Sequence, residues 1–210
     1  MTRLVGPARL AALCAGRVRE HRDAEGLWSS AVLKSPLSGP ALVTERGLAG
    51  DEVQDHLHHG GADKALLCYS VAHYLRWRVE TGLELVPGAF GENLLLEGLD
   101  EEGACLGDTW AAGEALLQVS QPRVPCWKPA RLWGRPTLAR EMAESGRTGW
   151  YLRVPRSGRL EAGQALTLAD RPHPDWSVAR CWRAYLARHS APRDWIELQT
   201  LPELAAAWRE

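Results

Sequence analysis

The chain has 210 residues, of which 45% are apolar and 24% are charged, with a formal net charge of −1 and an isoelectric point near 6.7. This length suits one substantial domain with a small appendage, and the composition is that of an ordinary globular protein. A net charge so close to zero gives no broad attraction to nucleic acid or to an anionic membrane, so we expect a small molecule or a protein as partner.

The N-terminal stretch MTRLVGPARLAALCAG has the general character of a targeting signal but does not fit one. Pro7 and Arg9 interrupt its apolar run, and Leu13 before Cys14 is too large for a small-residue cleavage site. No run of the sequence approaches the apolar length of a membrane helix. We therefore expect a cytoplasmic protein.

From residue 29 onward, short β segments alternate with turns. The stretches SSAVLKSP (29–36) and GPALVTERG (39–47) predict strands separated by the turn PLSG. A helix is predicted over 71–81, because Ser70 can cap its start and Gly82 can end it. Its buried face is expected to comprise Val71, Tyr74, Leu75 and Val79.

The second half of the chain continues this pattern. ALLQVS (115–120) predicts a strand that stops at Pro122, and TLAREMAES (137–145) predicts a helix. GWYLRV (149–154) and QALTLA (164–169) predict two further strands. So many strands with few long helices predict a mainly β fold with α (α+β), in which a closed or nearly closed β-barrel carries inserted helices.

Beyond the linker DRPHPDW (170–176), the apolar spacing becomes helical. SVARCWRAYLARH, RDWIELQTL and PELAAAWRE each predict a short helix, the last with Pro202 in its first turn. We therefore divide the chain into a β-barrel domain over 1–170 and a three-helix domain over 171–210.

One cysteine stands apart from the others. The five are Cys14, Cys68, Cys105, Cys126 and Cys181, and their odd number, wide spacing and lack of C-x-x-C argue against a disulfide framework and against a zinc or iron–sulfur site. Cys126 lies in QPRVPCWK, where Arg123 and Lys128 provide the cationic surroundings typical of a reactive thiol. A buried structural thiol remains an equal alternative on residue chemistry alone.

The segment GLAGDEVQDHLHHGGADKALLCY has features of an anion site. Gly60 and Gly61 would let backbone N–H groups approach an anion and Lys64 would add a point charge, although a plain turn explains the glycine pair equally well. The histidines at positions 56, 58 and 59 suggest a metal site. They lack helical spacing and a fourth ligand, however, so an exposed loop is the favoured interpretation.

Lysine is rare in this chain and occurs only at Lys34, Lys64 and Lys128. Either the composition is biased towards arginine, or these three positions require a compact ammonium group. A further bend, PGAFGENLLLEGLD, presents Glu92 and Asn93, which local turn hydrogen bonding would equally explain.

Taken together, the motifs resemble the YiiM type of the MOSC-domain family. LKSPLSGP, GLAGDEVQDHLHHGGADKAL, YSVAHYLRW, PGAFGENL, GDTWAAGEALLQVSQPRVPCWK and SGRTGWYLRV occur in the order and spacing of that family. The segment from Ser177 onward is similar to the small three-helix domain that follows the barrel in this subgroup. The likeness covers the chain from about residue 30, whereas residues 1–30 carry little of it.

This resemblance implies a β-barrel-based fold that binds the molybdenum cofactor (molybdopterin), with Cys126 as a ligand of the molybdenum. Lys34 and Ser35 match a Lys-Ser pair near the cofactor phosphate, and Gln121 and Arg123 would lie near the pterin or the metal. The other residues expected to bind the cofactor are His59, Gly60, Gly61, Lys64, Asn93 and Lys128.

The implied activity is a reductase that removes the hydroxyl group from N-hydroxylated compounds, such as hydroxylaminopurines or amidoximes. Besides Cys126, its catalytic residues would include a proton donor, for which Asp51, Asp63 and Glu92 are candidates. The sequence has no cysteine pattern for a [2Fe–2S] cluster, so we expect a separate electron donor, either a flavoprotein or a ferredoxin. The alternative is a non-catalytic cofactor carrier or sulfur-handling module, because MOSC domains also occur in cofactor sulfurases.

Overall fold

The computed structural model of the chain describes residues 8–56 and 58–209. Within these ranges the strands are β1 (Ala8–Ala15), β2 (Arg19–Asp23), β3 (Gly26–Ser30), β4 (Ser35–Pro36), β5 (Ala41–Thr44), β6 (Gly47–Leu48), β7 (Leu66–Ser70), β8 (Leu94–Glu97), β9 (Thr109–Ala112), β10 (Ala115–Pro122), β11 (Trp150–Arg156), β12 (Gly158–Leu160) and β13 (Ala165–Asp170). The helices are α1 (Val71–Thr81), α2 (Trp127–Leu132), α3 (Leu138–Ser145), α4 (Val178–Leu186) and α5 (Arg193–Gln199). None of the described helices is long and apolar enough to cross a membrane.

Seven of the described strands close into a barrel in the order β13–β9–β10–β11–β7–β8–β1, with β1 pairing back onto β13. The pairs are antiparallel except for β7 and β8, which run parallel. Closure gives every barrel strand two neighbours and so removes the free edges of an open sheet. The predicted mainly β fold with inserted helices is therefore confirmed.

Successive residues on the barrel strands face different apolar clusters, as the two-residue period of a strand requires. The barrel interior is filled chiefly by buried leucines, including Leu10, Leu13, Leu66, Leu94 and Leu117. The outer face packs against α1 and α3 through Tyr69, Trp77, Phe90, Leu138 and Met142. A third cluster lies under α4 and α5 and includes Leu106, Trp176, Trp182, Leu198 and Trp208.

Helix α1 has the predicted bounds, but of its predicted buried face only Val71 and Tyr74 pack against the core. Leu75 and Val79 are 67% and 78% exposed, whereas His73 and Trp77 are buried. His73 is bonded to the buried carboxylate of Glu101 at 2.6 Å, and the Trp77 indole donates to the Tyr69 hydroxyl at 2.7 Å. Because these polar groups find partners inside, they can be buried in place of purely apolar side chains.

The C-terminal segment forms two of its three predicted helices. Helices α4 and α5 lie where expected, but the third segment contains only a short 3₁₀ turn at Ala206–Trp208. The backbone N–H of Ala205 donates to Ser120 on the barrel at 3.0 Å, and that of Ala206 donates to Asp63 at 2.9 Å. These bonds to the barrel replace the intrahelical bonds that a longer helix would make. The domain boundary at residue 170 remains a prediction.

The stretch predicted as a strand over 29–36 is regular only at its ends, in β3 and β4. Between them the Ser30 hydroxyl accepts a hydrogen bond from the N–H of Val32 at 3.0 Å, which turns the chain out of the strand. The N–H of Lys34 then donates to Gly88 at 3.3 Å. This irregular backbone places Lys34 beside the cleft described below.

Gly88 is required for this arrangement, and Gly88→Ala is expected to destabilise the protein. Gly88 has a φ of +92°, and a Cβ there would lie 2.3 Å from the carbonyl oxygen of Lys34. Gly26→Ala is the matched control, because Gly26 has a φ of +110° but open space around it. We expect Gly88→Ala to lower the free energy of unfolding by about 1–3 kcal/mol more than the control in chemical denaturation. Equal losses would mean that backbone strain alone is responsible.

Candidate functional site

A single cleft collects most of the residues singled out in the sequence. Its empty space is about 620 Å³, including the part open to solvent. Its lining comes from six stretches of the chain, within 30–34, 51–55, 59–67, 90–93 and 123–128 and at Tyr151. The predicted site residues in its lining are Lys34, Asp51, His59, Gly60, Lys64, Asn93, Arg123, Cys126 and Lys128.

Cys126 is the thiol that this cleft exposes. It is half-buried and immediately precedes α2, whereas the other four cysteines are buried. Burial raises the pKa of Cys14 and of Cys181 to about 12 and that of Cys105 to about 11, and it raises the pKa of Cys68 well above its ordinary value. The four buried thiols therefore stay protonated and enclosed, which leaves Cys126 as the accessible sulfur.

Arg123 brings an unsatisfied charge to the same cleft. Its side chain is 3% exposed, and its buried Nη1 has no hydrogen-bond partner among the described residues. Leaving a buried cationic donor without a partner is costly, because it has lost its hydration. An anion bound in the cleft would satisfy this donor.

Two lysines add to the positive charge near Cys126. The Lys128 ammonium is nearly buried and lies 3.8 Å from a carboxylate oxygen of Asp55, which is too long for a tight pair. The Lys64 ammonium donates to the backbone carbonyl of His58 at 3.0 Å. With Arg123, these lysines concentrate positive charge in a concave site, which raises the local concentration of anions.

Lys34 contributes differently, because its charge is already neutralised. Its ammonium bonds both carboxylate oxygens of Asp51, and the two side chains are 7% and 10% exposed. Asp51 also accepts from the N–H of Gly16 and from the Asn93 amide, each at 2.8 Å. Asp51 thus ties β1, the Lys34 segment and the start of β8 together along one wall of the cleft.

The histidine triplet does not form a metal centre. His56 and His58 are exposed, His58 bonds Asp55, and His59 turns into the cleft. Among the described residues no group of three or more His, Cys, Asp or Glu side chains is arranged to hold a metal ion. The loop is exposed at His56 and His58, as expected, but not at His59, which lines the cleft.

His59 is expected to remain neutral down to acidic pH. Its pKa is lowered to about 4, chiefly by burial and also by repulsion from Lys128 and Arg123. Because an unfolded histidine titrates near its ordinary value of 6.5, the unfolded chain binds more protons between these two values. This group therefore makes the fold less stable as the pH falls from about 6.5 to about 4. Lys128→Gln should raise the pKa of His59 in an NMR titration.

The control for this titration is Arg183→Gln, which removes an exposed cation paired with Glu102 on the surface. It should leave the pKa of His59 unchanged, since surface charges at a distance are screened. If Lys128→Gln also leaves that pKa unchanged, Lys128 does not act on His59.

Five predicted site residues do not line the cleft: Ser35, Gly61, Asp63, Glu92 and Gln121. Ser35 is exposed and pairs with Ala15 in β4, and Gly61 starts the 3₁₀ turn at Ala62–Lys64. Gln121 is buried in β10, where its amide nitrogen donates to the carbonyl of Pro122 at 3.1 Å. Strand pairing and turn geometry therefore hold these residues away from the cleft lining.

The two acids among these five have other partners. Asp63 accepts from Arg153 at 2.5 Å and from the N–H of Ala206 at 2.9 Å, which anchors the C-terminal segment. Glu92 is fully buried, and burial raises its pKa. It accepts from the N–H groups of Gly88 and Phe90, so it organises the bend. Of the three candidate proton donors, only Asp51 lines the cleft.

Sequence reasoning missed Tyr151, Asp55 and Val32, all of which line the cleft. Tyr151 lies on β11, for which the sequence predicts a strand but no site residue. Burial raises the pKa of the Tyr151 phenol. Its pairing with Gln121 across β10 and β11 would have placed it next to the QPRVPCWK loop. No local pattern in the sequence marks Val32.

Comparisons with known proteins agree with this fold. The family model of the MOSC domain matches residues 55–167. Over 145 residues, 68% of this chain, the sequence is 41% identical to Protein YiiM of Escherichia coli, and over 147 residues, 70% of the chain, it is 38% identical to the uncharacterized protein YflK of Bacillus subtilis. Over 200 residues, 93% of the chain, it is 34% identical to a protein of Gibberella moniliformis named "Reductase".

The matched regions cover 65% of the Escherichia coli protein, 66% of the Bacillus protein and 35% of the Gibberella protein. The chain thus spans a little under two thirds of the two bacterial relatives and about a third of the fungal one. The crystal structure of YiiM from Geobacillus stearothermophilus superposes with a TM-score of 0.82 at 32% identity, covering 97% of this chain and 96% of that one. For YiiM from Escherichia coli the TM-score is 0.75 at 29% identity, covering 96% and 89%. The chain belongs to the MOSC-domain family and is of the YiiM type.

Proposed function

We propose that the chain binds the molybdenum cofactor in this cleft and reduces N-hydroxylated compounds, such as hydroxylaminopurines or amidoximes, with electrons from a separate flavoprotein or ferredoxin. The observation that carries the proposal is that one cleft holds both an accessible thiol, Cys126, and the buried guanidinium of Arg123, whose Nη1 lacks a partner among the described residues. A soft metal ligand and an anion-binding group stand in one cleft, as an anionic cofactor with a thiolate-ligated metal requires.

The donor set fits this cofactor better than it fits a bare metal ion. Cys126 has no neighbouring protein ligands that could complete a metal site among the described residues. A metal held by this sulfur would therefore take its remaining ligands from a non-protein group, and the dithiolene of the cofactor is such a group. Lys64, Arg123 and Lys128 supply positive charge for its anionic parts.

When bound, the cofactor supplies the two-electron chemistry that cleaves an N–O bond. The substrate R–NH–OH takes up two electrons and two protons and yields R–NH₂ and water. The groups of this chain that line the cleft and can hold a proton include the ammonium groups of Lys34, Lys64 and Lys128 and the Tyr151 hydroxyl. His59 remains neutral at physiological pH and can accept a hydrogen bond there.

The similarity to a fungal protein named "Reductase" supports an oxidoreductase as the class of activity. Because this chain spans only part of that relative, the substrate and electron donor of the present protein are part of the proposal.

The test is to produce the protein in a host that makes molybdopterin and to measure its metal content and turnover. We expect near-stoichiometric molybdenum and, with a chemical reductant of low potential, conversion of a hydroxylaminopurine to the aminopurine. Folded protein without molybdenum contradicts the proposal entirely. Protein that holds molybdenum yet reduces nothing with any donor is a cofactor carrier, and the reductase proposal then fails.

A further inference from the structure

Four side chains form a continuous aromatic and cationic surface beside the cleft. We call it the aromatic rim, and it consists of His21, Trp28, Trp127 and Arg131. His21 and Trp28 stack across the β2–β3 hairpin with ring centroids 4.4 Å apart. The Trp127 ring meets Trp28 edge-on at 5.2 Å, and the Arg131 guanidinium lies 5.1 Å from the Trp28 ring and 5.3 Å from the Trp127 ring.

The aromatic rim borders the cleft through both of its elements. Trp127 lies between Cys126 and Lys128, which both line the cleft, and its ring centroid is 6.0 Å from the Lys128 ammonium. On the hairpin, Ser30 lines the cleft two residues after Trp28. The Trp127 ring is not itself part of the cleft lining, but it lies beside the part of the lining that Lys128 forms.

The hairpin and α2 are locked together at this point. The Arg131 guanidinium makes two hydrogen bonds to the Asp23 carboxylate, with its Nε at 2.7 Å, and contacts the carbonyl of Gly26 at 3.3 Å. A planar guanidinium that is fixed by a bidentate carboxylate loses little freedom when it stacks on rings. The rim is therefore a prearranged surface, which reduces the entropy lost when a ligand binds there.

The stability of the core does not account for this surface. Neither Trp28 nor Trp127 belongs to the three buried apolar clusters, and Trp127 is 48% exposed. A large ring left half in solvent beside Cys126 is accessible to a ligand that can stack on it.

We propose that the aromatic rim binds the planar heteroaromatic ring of the substrate against Trp127, and that it thereby selects aromatic N-hydroxylated bases over aliphatic hydroxylamines. This inference rests on the proposed function only for the identity of the reacting group. The stacking of an aromatic ring on Trp127 does not depend on that function. A base that stacks on Trp127 can direct its exocyclic N–O group towards Cys126, the neighbouring residue. Every heteroaromatic base has such a π face, so the rim recognises a class of substrate and not one base.

The test compares Trp127→Leu with Trp127→Phe on two substrates, a hydroxylaminopurine and N-cyclohexylhydroxylamine. We expect Trp127→Leu to raise KM for the purine about tenfold with little change for the aliphatic substrate, because loss of one stacking partner weakens base binding by about this factor or more. Trp127→Phe should restore most of the preference. Leu27→Ala is the control, since Leu27 is exposed on the same hairpin and lies outside the rim.

A second measurement separates this inference from the proposed function. Calorimetric titration of the protein with adenine, which cannot be reduced here, should yield a dissociation constant that Trp127→Leu weakens about tenfold. If adenine binds in this Trp127-dependent manner but no hydroxylamine is reduced, the stacking site stands and the reductase proposal fails. If reduction occurs and Trp127→Leu leaves both the substrate preference and adenine binding unchanged, the stacking inference is wrong. An equal loss on both substrates would likewise overturn it.

Discussion

Cys126→Ala is expected to abolish the proposed molybdenum binding and N-hydroxyl reduction while the protein remains folded. The thiol is half-buried and belongs to none of the apolar clusters, so its loss should change the free energy of unfolding by less than about 1 kcal/mol. Its removal leaves the metal without a protein ligand, because the described residues hold no other cluster that could replace it. Metal analysis and circular dichroism of the same preparation measure both effects.

Cys105→Ala is the matched control for this experiment. Cys105 is buried, lies outside the cleft, and its Sγ contacts the carbonyl of Pro174 at 3.5 Å. Its removal should lower the free energy of unfolding by about 1 kcal/mol while molybdenum is retained. Cys126→Ser separates the shape of the side chain from its role as a ligand, because a hydroxyl keeps the shape of the thiol but is a harder ligand for a soft metal. Full molybdenum content in Cys126→Ala would mean that this thiol is not a metal ligand and has a purely structural role.

The barrel strands β10, β11 and β13 could be predicted from the sequence because each has its own local pattern, whereas β1, β7 and β9 were not predicted as strands. The composition of the site was harder to foresee. Lys34, Lys64 and Cys126 come from three distant segments, and only strand pairing and the irregular backbone after β3 place them in one cleft. Family motifs identified these residues, but nothing local indicates that Asp51 neutralises Lys34 while Arg123 keeps an unsatisfied donor.

The residues that were misplaced share one physical cause. Asp63, Glu92 and Gln121 lie in or beside the same motifs as the cleft residues, but their side chains form hydrogen bonds elsewhere. In a strand or a tight bend, a shift of one position turns a side chain to the opposite face. A polar residue in a motif can therefore stabilise the scaffold instead of entering the site, and sequence alone does not distinguish the two. The contact of Trp28 with Trp127 joins elements far apart in the chain and has no periodic signal.

Asp51→Ala is expected to destabilise the fold strongly, by about 3–5 kcal/mol in the free energy of unfolding. The substitution leaves the nearly buried Lys34 ammonium without its counter-charge, and the N–H of Gly16 and the amide of Asn93 each lose an acceptor. Uncompensated buried charge is among the most costly changes that a single substitution can make. Urea denaturation monitored by tryptophan fluorescence measures the effect.

Glu52→Ala is the control, because Glu52 also lines the cleft but pairs with the exposed Arg17. Its effect should be much smaller, since an ion pair in solvent gains little. A similar loss in both variants would mean that the Lys34–Asp51 pair stabilises no more than a surface pair.

The double variant Lys34→Met with Asp51→Leu separates the stability of this wall from its role in binding. Removing both charges should recover much of the lost stability, because a buried pair can often be replaced by apolar side chains of similar volume. If the folded double variant retains molybdenum, Lys34 and Asp51 serve only to hold the wall together. The anion is then held by Lys64, Arg123 and Lys128, which are the cleft cations that lack a close carboxylate partner among the described residues. If the folded variant loses molybdenum, the Lys34 ammonium itself binds the cofactor, despite its pairing with Asp51.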